Sequence, residues 1–337
     1  MKLRMLAWLL MGALLAPSAS AEGEDAVASE TVATGTHSPL KPLPKTEKAP
    51  LKLEGGWVLV WNDEFNGSKL DTKKWNYELG VQRNRGCSQA YTKSCVKVKD
   101  GVLQLISKAE KTPNETYGKA GVAPWAAAIK TQPYASGSVT TLGTKSFTAP
   151  GRLEFRARIP KAKGVWPAIW TMHQNKYGWP ANGEIDILEH ISQEPNTVYS
   201  IFRWGQRGEV RGDAERKVIR TTRIPDLSKE FHTYVLEWDA EYMRILIDDK
   251  EVGRIQIDSA KYSNGDNPLL TPCYIIMNTA IGGSGTWPVK ADDPSQYPVT
   301  FEIDYVRYYK RNGASAATAD GGDASADKKP AKKKKKK

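Results

Sequence analysis

Three acidic side chains lie within six residues of the sequence, and they are Glu184, Asp186 and Glu189. The first two alternate with Ile185 and Ile187, which predicts a β-strand with acidic side chains on one face and aliphatic side chains on the other. Glu189 breaks this parity, because a regular strand would turn it into the core, where an uncompensated carboxylate is costly. A β-bulge with one extra residue near Ile187 and Leu188 would return Glu189 to the acidic face.

Carboxylates grouped in this way could carry out acid–base and nucleophilic catalysis. Like charges raise the pKa of at least one member, so that it stays protonated near neutral pH. We assign this acid/base role to Glu189, while an ionised Glu184 acts as nucleophile and Asp186 holds Glu184 in position. The outer pair stands about 13 Å apart along the strand, and the side chains can lean toward the ~5–5.5 Å typical of retaining glycosidases. The alternative is a solvated acidic strand edge.

Tryptophans near the acidic segment favour the catalytic interpretation. Trp166, Trp170 and Trp179 precede it, and their rings suit stacking against the apolar faces of sugars. Some of them could instead belong to the core. We expect one of Trp166 and Trp170 to be buried, and Trp179, beside Pro180 in a loop, is the better stacking candidate.

The elements that must position these groups follow a period of two. Residues 152–160 and 301–309 alternate between polar and apolar side chains, and further strands are predicted to begin at Val58, Val102, Gly137 and Thr233. Turn residues separate these runs, and no long helical pattern occurs between them. The pattern predicts an all-β sandwich of two antiparallel sheets.

The 337 residues divide into four predicted segments. Residues 1–21 resemble a signal peptide, with Lys2 and Arg4 before an apolar stretch and Ala19-Ser20-Ala21 as cleavage site. Residues 22–50 read as a disordered linker, 51–312 as one catalytic domain, and 313–337 as a disordered lysine-rich tail. We therefore expect a secreted protein, periplasmic or extracellular, without a membrane span. We also expect a monomer.

The net charge of +11 does not indicate nucleic-acid binding. The tail from Gly313 contributes +5 and the signal peptide +2, which leaves an ordinary +4 on the rest of the chain. A nucleic-acid footprint would spread over one face of a fold. The tail could tether the protein electrostatically to an anionic surface, or it could be merely solvated.

The cysteines give a prediction of their own. Cys87 and Cys95 flank a short polar loop and are the natural disulfide pair in an exported protein. Cys273 lies in an apolar run and is predicted to be a buried thiol. The spacing of Cys87 and Cys95, without clustered histidines, does not match the pattern of a zinc site.

The chain resembles glycoside hydrolase family 16, in its laminarinase-like branch with a bulged Glu-x-Asp-x-x-Glu motif. The motif matches 184–190, and the resemblance extends over roughly 56–310. Further matching segments are Leu59–Gly67, Ser136–Ser138, Gly151–Glu154, Trp166–Trp170, Asn278, Ile281–Gly283 and Ile303–Arg307.

This resemblance implies a concanavalin-like β-jelly roll with a concave cleft, and retaining endo-hydrolysis of β-1,3 or mixed β-1,3/1,4 glucan. It implies the same roles for the three carboxylates. It implies sugar contacts at Arg152 and Trp166. The match that assigns the same role to Trp170, Trp179 and Asn278 is weaker. No cofactor is required, but some relatives bind a structural calcium, which here would fall near Glu64, the Gly101 backbone and Asp304.

The sequence departs from the family pattern where a histidine is common and Arg203-Trp204 stands instead. Arg203 could favour an acidic or sulfated polysaccharide, or it could simply pair with a nearby carboxylate. Three functions stay open: a glucan hydrolase, a lectin-like binding protein without activity, and a transglycosylase or hydrolase acting on another polysaccharide.

Overall fold

A computed structural model of the chain describes residues 49–205, 215–225 and 227–311. These ranges contain one short helix, α1 (Pro124–Ala127), and five 3₁₀ turns at Glu54–Gly56, Lys93–Cys95, Ile257–Ala260, Pro268–Leu270 and Pro294–Gln296. The strands in chain order are β1 (Lys52–Leu53), β2 (Trp57–Asp63), β3 (Asn76–Tyr77), β4 (Gln89–Tyr91), β5 (Val96–Lys99), β6 (Val102–Ser107), β7 (Thr112–Pro113), β8 (Thr131–Gln132), β9 (Tyr134–Ser136), β10 (Ser138–Thr140), β11 (Gly151–Arg158), β12 (Val165–His173), β13 (Glu184–Glu189), β14 (Val198–Trp204), β15 (Glu215–Thr221), β16 (His232–Trp238), β17 (Tyr242–Ile247), β18 (Lys250–Gln256), β19 (Cys273–Ile281) and β20 (Val299–Arg311).

Two antiparallel sheets form the body of the molecule. The nine-stranded sheet has the order β1-β2-β20-β11-β16-β17-β18, with β6 added to β20 and β5 to β6. The seven-stranded sheet has the order β15-β14-β13-β12-β19-β10-β3, and the strand that carries the three carboxylates lies inside it. The predicted sandwich of antiparallel sheets is confirmed.

The core lies between the two sheets and is built from alternate positions of their strands. Leu153 and Phe155 of β11 face Ile185 of β13 and Phe202 of β14 within one buried cluster. Burying such side chains contributes about 1.5–3 kcal/mol each. Side chains at the intervening positions of the seven-stranded sheet therefore lie on its outer face, away from the core. We call this surface the carboxylate face.

The period of two located the main strands closely. Strands predicted to begin at 58, 102, 137 and 233 begin at 57, 102, 138 and 232, and the runs 152–160 and 301–309 correspond to β11 and β20. The predicted signal peptide, most of the linker and the tail lie outside the described residues. Within the described ranges, no helix combines the length and the apolar character that a membrane crossing requires.

The predicted disulfide is wrong. Cys87, Cys95 and Cys273 are free and buried in the structure. The residues between Cys87 and Cys95 do not form the expected loop, because Gln89–Tyr91 is extended and pairs with Tyr134–Ser136. Cys273 is the buried thiol that its apolar surroundings predicted, and burial raises its pKa to about 12.

Candidate active site

A β-bulge brings the third carboxylate to the carboxylate face. Along β13, Asp186 and Leu188 are register partners of consecutive residues on β12, so Ile187 is the extra residue. The pairing with β14 is irregular over the same stretch. Ile185, Ile187 and Leu188 are all fully buried in the core. Glu189 consequently points away from them, as the sequence predicted.

Glu189 lies in an environment that favours its protonated form. It is buried, and the indole Nε1 of Trp166 donates a hydrogen bond of 2.9 Å to its Oε1. Desolvation and the nearby charge of Glu184 raise the pKa of Glu189 to about 7, although Trp166 and Arg203 oppose the shift. A carboxyl group with this pKa can donate a proton near neutral pH and take one back.

Glu184 has an indole donor like that of Glu189 and, in addition, a cation that stabilises its charge. Trp179 Nε1 donates a hydrogen bond of 2.9 Å to Oε2 of Glu184, and Arg203 Nε lies 3.2 Å from Oε1. Burial raises the pKa of Glu184, while Arg203, Trp179 and Arg83 act in the opposite direction. The two glutamates therefore differ in their electrostatic surroundings, which is the condition for opposite roles.

Asp186 lies between the two glutamates on the strand and is buried. Desolvation and the charges of Glu189 and Glu184 hold the pKa of Asp186 well above its usual range, despite the opposing effect of Arg203. A neutral carboxyl group in this position can donate a hydrogen bond to a neighbouring carboxylate. Its surroundings are compatible with the predicted helper role.

Two exposed tryptophans flank the carboxylates. Trp179 beside Glu184 is 59% exposed, and Trp287 is 43% exposed. The Trp287 ring lies nearly perpendicular to the rings of Trp166 and Tyr199, at centroid distances of 5.6 and 4.9 Å. Exposed rings of this kind suit stacking against sugars. Trp287 was missed in the sequence, although it follows the matching segment Ile281–Gly283.

Trp170 and Asn278 form the floor beside the carboxylates. Trp170 is buried and Trp166 is only partly so, as expected. Trp170 donates to Asn278 Oδ1 at 2.8 Å, and the guanidinium of Arg83 lies 4.9 Å from the Trp170 ring centroid. No sequence signal identified Arg83, because it lies in a loop and reaches this face only through the tertiary fold.

Arg152 does not belong to this site, and its predicted sugar contact is wrong. It directly precedes the core residue Leu153 on β11, so its side chain points to the outer face of the nine-stranded sheet. The three carboxylates lie on the other sheet of the sandwich. The Arg152 guanidinium forms buried ion pairs with Glu154, at 2.7 Å, and with Glu237. Strand parity alone could not tell which sheet would contain this residue.

The predicted calcium ligands do not fit a calcium ion. Both carboxylate oxygens of Glu64 accept hydrogen bonds from Arg307, at 2.9 and 2.8 Å, and Asp304 accepts one of 2.7 Å from Arg156. The guanidinium groups supply the positive charge that a cation would bring. Gly101 lies in the turn between β5 and β6. The described part of the chain contains no cluster of three acidic, histidine or cysteine side chains arranged to hold a metal.

Both the sequence and the fold are similar to those of known glycoside hydrolases. The model of the family "Glycosyl hydrolases family 16" matches residues 87–307. A "Beta-glucanase" from Rhodothermus marinus is 33% identical over 79% of this chain and 88% of its own length. The laminarinase catalytic domain of Thermotoga maritima MSB8 is 30% identical, covering 75% of this chain and 98% of that chain, with a TM-score of 0.63. These similarities confirm the predicted jelly-roll fold and glycoside hydrolase activity.

A further solved structure is more similar. It comes from work on endo-acting O-glycanases that prominent members of the human gut microbiota express to initiate mucin breakdown. It is 49% identical, covering 78% of this chain and 94% of that chain, with a TM-score of 0.74.

Proposed function

Because this chain belongs to glycosyl hydrolases family 16, we propose that it is an endo-acting enzyme that hydrolyses a β-linked glycan with retention of configuration. Glu184 is the nucleophile, Glu189 the acid/base and Asp186 the helper. The observation that carries this proposal is the bulge at Ile187, because it brings Glu189 to the face of Glu184. Without it, Glu189 would point into the core and could not act on the bond that Glu184 attacks.

The proposed reaction has two displacements. First, the carboxylate of Glu184 attacks the anomeric carbon, the glycosidic bond breaks, and Glu189 gives its proton to the departing oxygen. Next, Glu189 takes a proton from water, the water oxygen attacks the same carbon, and the bond to Glu184 breaks. A pKa of about 7 lets Glu189 serve in both steps.

The first candidate substrate is β-1,3-glucan or mixed β-1,3/1,4-glucan. Its support is the similarity to the R. marinus β-glucanase and the T. maritima laminarinase domain, at 33% and 30% identity. The exposed rings of Trp179 and Trp287 on either side of the carboxylates suit a long glycan chain.

The second candidate substrate is the O-glycan of mucin. The 49% identity to a structure from work on O-glycanases exceeds the identity to both glucan-hydrolysing relatives. Arg203 beside Glu184, where the family pattern favours histidine, is consistent with a cleft altered for a different sugar. The higher identity favours O-glycan over glucan as the substrate.

A substrate panel tests both candidates. Laminarin, lichenan, mucin O-glycans, keratan sulfate, agarose and carrageenan are incubated with the protein and with Glu184→Gln. Size analysis of the products is expected to show oligosaccharides of several units, and proton NMR is expected to show retention at the new reducing end. Binding without sugar release would support the lectin-like alternative, and products longer than the input would support a transglycosylase.

The predicted signal peptide completes the proposal, because a polymeric substrate cannot enter a cell. Export would place the enzyme in the periplasm or outside the cell. N-terminal sequencing of the protein recovered after export is expected to show cleavage near Ala21.

A further inference from the structure

Among the described residues, Arg203 makes the closest charge contact with the proposed nucleophile. Glu184 and Arg203 are register partners on the neighbouring strands β13 and β14, and Nε lies 3.2 Å from Oε1. The Arg203 side chain is only 20% exposed, and its guanidinium lies 5.6 Å from the ring centroid of Trp179. Trp179 in turn donates to the other oxygen of Glu184. Arg203 and Trp179 thus hold the two carboxylate oxygens of Glu184 from two sides.

This contact is an interaction of charges more than a directed hydrogen bond. Among the described residues, the buried Nε of Arg203 has no hydrogen-bond partner, although it lies within ion-pair distance of Glu184. A cation at this distance in a partly desolvated site favours the carboxylate form strongly. A lysine could preserve such an effect in large part, whereas a neutral side chain could not.

Other groups also act on Glu184. In the ranges that the structure describes, the other charged or titratable groups that act on it are Asp186 and Glu189 on its own strand, Tyr274 on β19 and Arg83 from a loop. Arg83, the second cation, is already paired with Glu78. Arg203 also acts against the raised pKa of both Asp186 and Glu189, so it is the cation common to the whole trio. Its charge therefore favours the ionised form of all three groups, and its ion-pair contact is with Glu184.

We propose that Arg203 is a positioning residue that holds Glu184 as a carboxylate and promotes its release from the covalent glycosyl-enzyme. The inference rests on the proposed assignment of Glu184 as nucleophile. When Glu184 bonds to the anomeric carbon, it becomes a neutral ester and Arg203 loses its counter-charge. When water displaces Glu184, the electron pair of the breaking bond returns to the carboxylate, which Arg203 then stabilises.

Removing this positive charge should therefore have two effects. The second displacement slows relative to the first, so the fraction of enzyme present as glycosyl adduct during turnover rises by about tenfold. The acid limb of the kcat/KM profile moves to higher pH by about one unit, because Glu184 then protonates more readily. A residue that only supported the fold would lower activity without producing either effect.

The test compares wild type with Arg203→Gln and Arg203→Lys in the full chain. Adduct is measured by intact mass spectrometry after rapid acid quenching, on whichever panel substrate wild type cleaves, and kcat/KM is measured across pH. We expect both changes in Arg203→Gln and near wild-type behaviour in Arg203→Lys. The matched control is Arg216→Gln, since Arg216 is the exposed register partner of Arg203 on β15 and its loss removes the same charge.

Several outcomes would overturn the inference. It is wrong if Arg203→Gln keeps the wild-type acid limb and adduct level, if Arg203→Lys behaves like Arg203→Gln, or if Arg216→Gln produces the same changes. If Arg203→Gln fails to fold, Arg203→Ala is measured with and without added guanidinium. The inference is contradicted if guanidinium does not restore the wild-type adduct level and acid limb. Lack of turnover by wild type, or full turnover by Glu184→Gln, would instead reject the proposed function.

Discussion

Trp166 and Glu189 are joined across two neighbouring strands by a hydrogen bond of 2.9 Å from the indole nitrogen to the carboxyl oxygen. Trp179 makes a contact of the same length to Glu184. Each glutamate thus has one indole donor, so these hydrogen bonds cannot explain why their proposed roles differ. Arg203, in contact with Glu184, supplies the asymmetry.

The nucleophile assignment predicts that Glu184→Gln lowers kcat by about 10⁴-fold or more, because the amide cannot form the covalent intermediate. Sugar release measures the loss, and an unchanged circular dichroism spectrum shows that the fold is intact. In Glu184→Ala, added azide should restore cleavage and yield a glycosyl azide of inverted configuration. Full residual activity in Glu184→Gln would reject the assignment.

The acid/base assignment predicts a loss of activity with rising pH. Glu189 must be protonated to assist departure of the leaving group, and its pKa is raised to about 7, so kcat/KM should fall as pH increases through about 7. On the acid side, activity should fall as Glu184 becomes protonated. Glu189→Gln should lose the basic limb, since the amide does not titrate. A basic limb that persists in Glu189→Gln would assign it to another group.

The indole contact to Glu189 predicts a shift of that basic limb. The hydrogen bond from Trp166 stabilises the ionised form, so Trp166→Phe should raise the pKa of Glu189 and move the limb upward by about one pH unit. Trp170→Phe is the matched control, because its indole donates to Asn278 and not to a carboxylate. Equal shifts in the two variants would contradict the prediction.

The position of Arg152 predicts an effect on stability and not on substrate binding. Arg152→Met leaves Glu154 and Glu237 as buried carboxylates without this partner, which should lower the free energy of unfolding by about 3–5 kcal/mol. Urea denaturation measures the change, and KM should stay at the wild-type value. A raised KM with unchanged stability would restore the sequence-based prediction of a sugar contact.

The free cysteines predict three reactive thiols per chain after unfolding. Protein purified after export, without reductant, should give this number in a thiol titration under denaturing conditions. The native protein should react little, because all three side chains are buried and burial raises the pKa of Cys87 and Cys273 to about 12. One thiol per chain after unfolding would indicate that Cys87 and Cys95 are bridged after all.

The sequence alone determined which faces the side chains take. Alternation in β11 and β20 located the strands, and the parity conflict at Glu189 predicted the bulge at Ile187, because pleating and burial act over a few consecutive residues. The motif and its flanking segments identified the family. These features are local, so a short stretch of chain contains all the information they need.

Tertiary structure decided which partners meet. Arg203 contacts Glu184 through the pairing of β13 with β14, Arg83 covers Trp170 from a distant loop, and Arg152 lies on the sheet that does not contain the carboxylates. Cys87 and Cys95 are only eight positions apart in sequence, yet an extended strand separates them. Strand order and sheet packing depend on contacts between remote residues, and no local pattern specifies them.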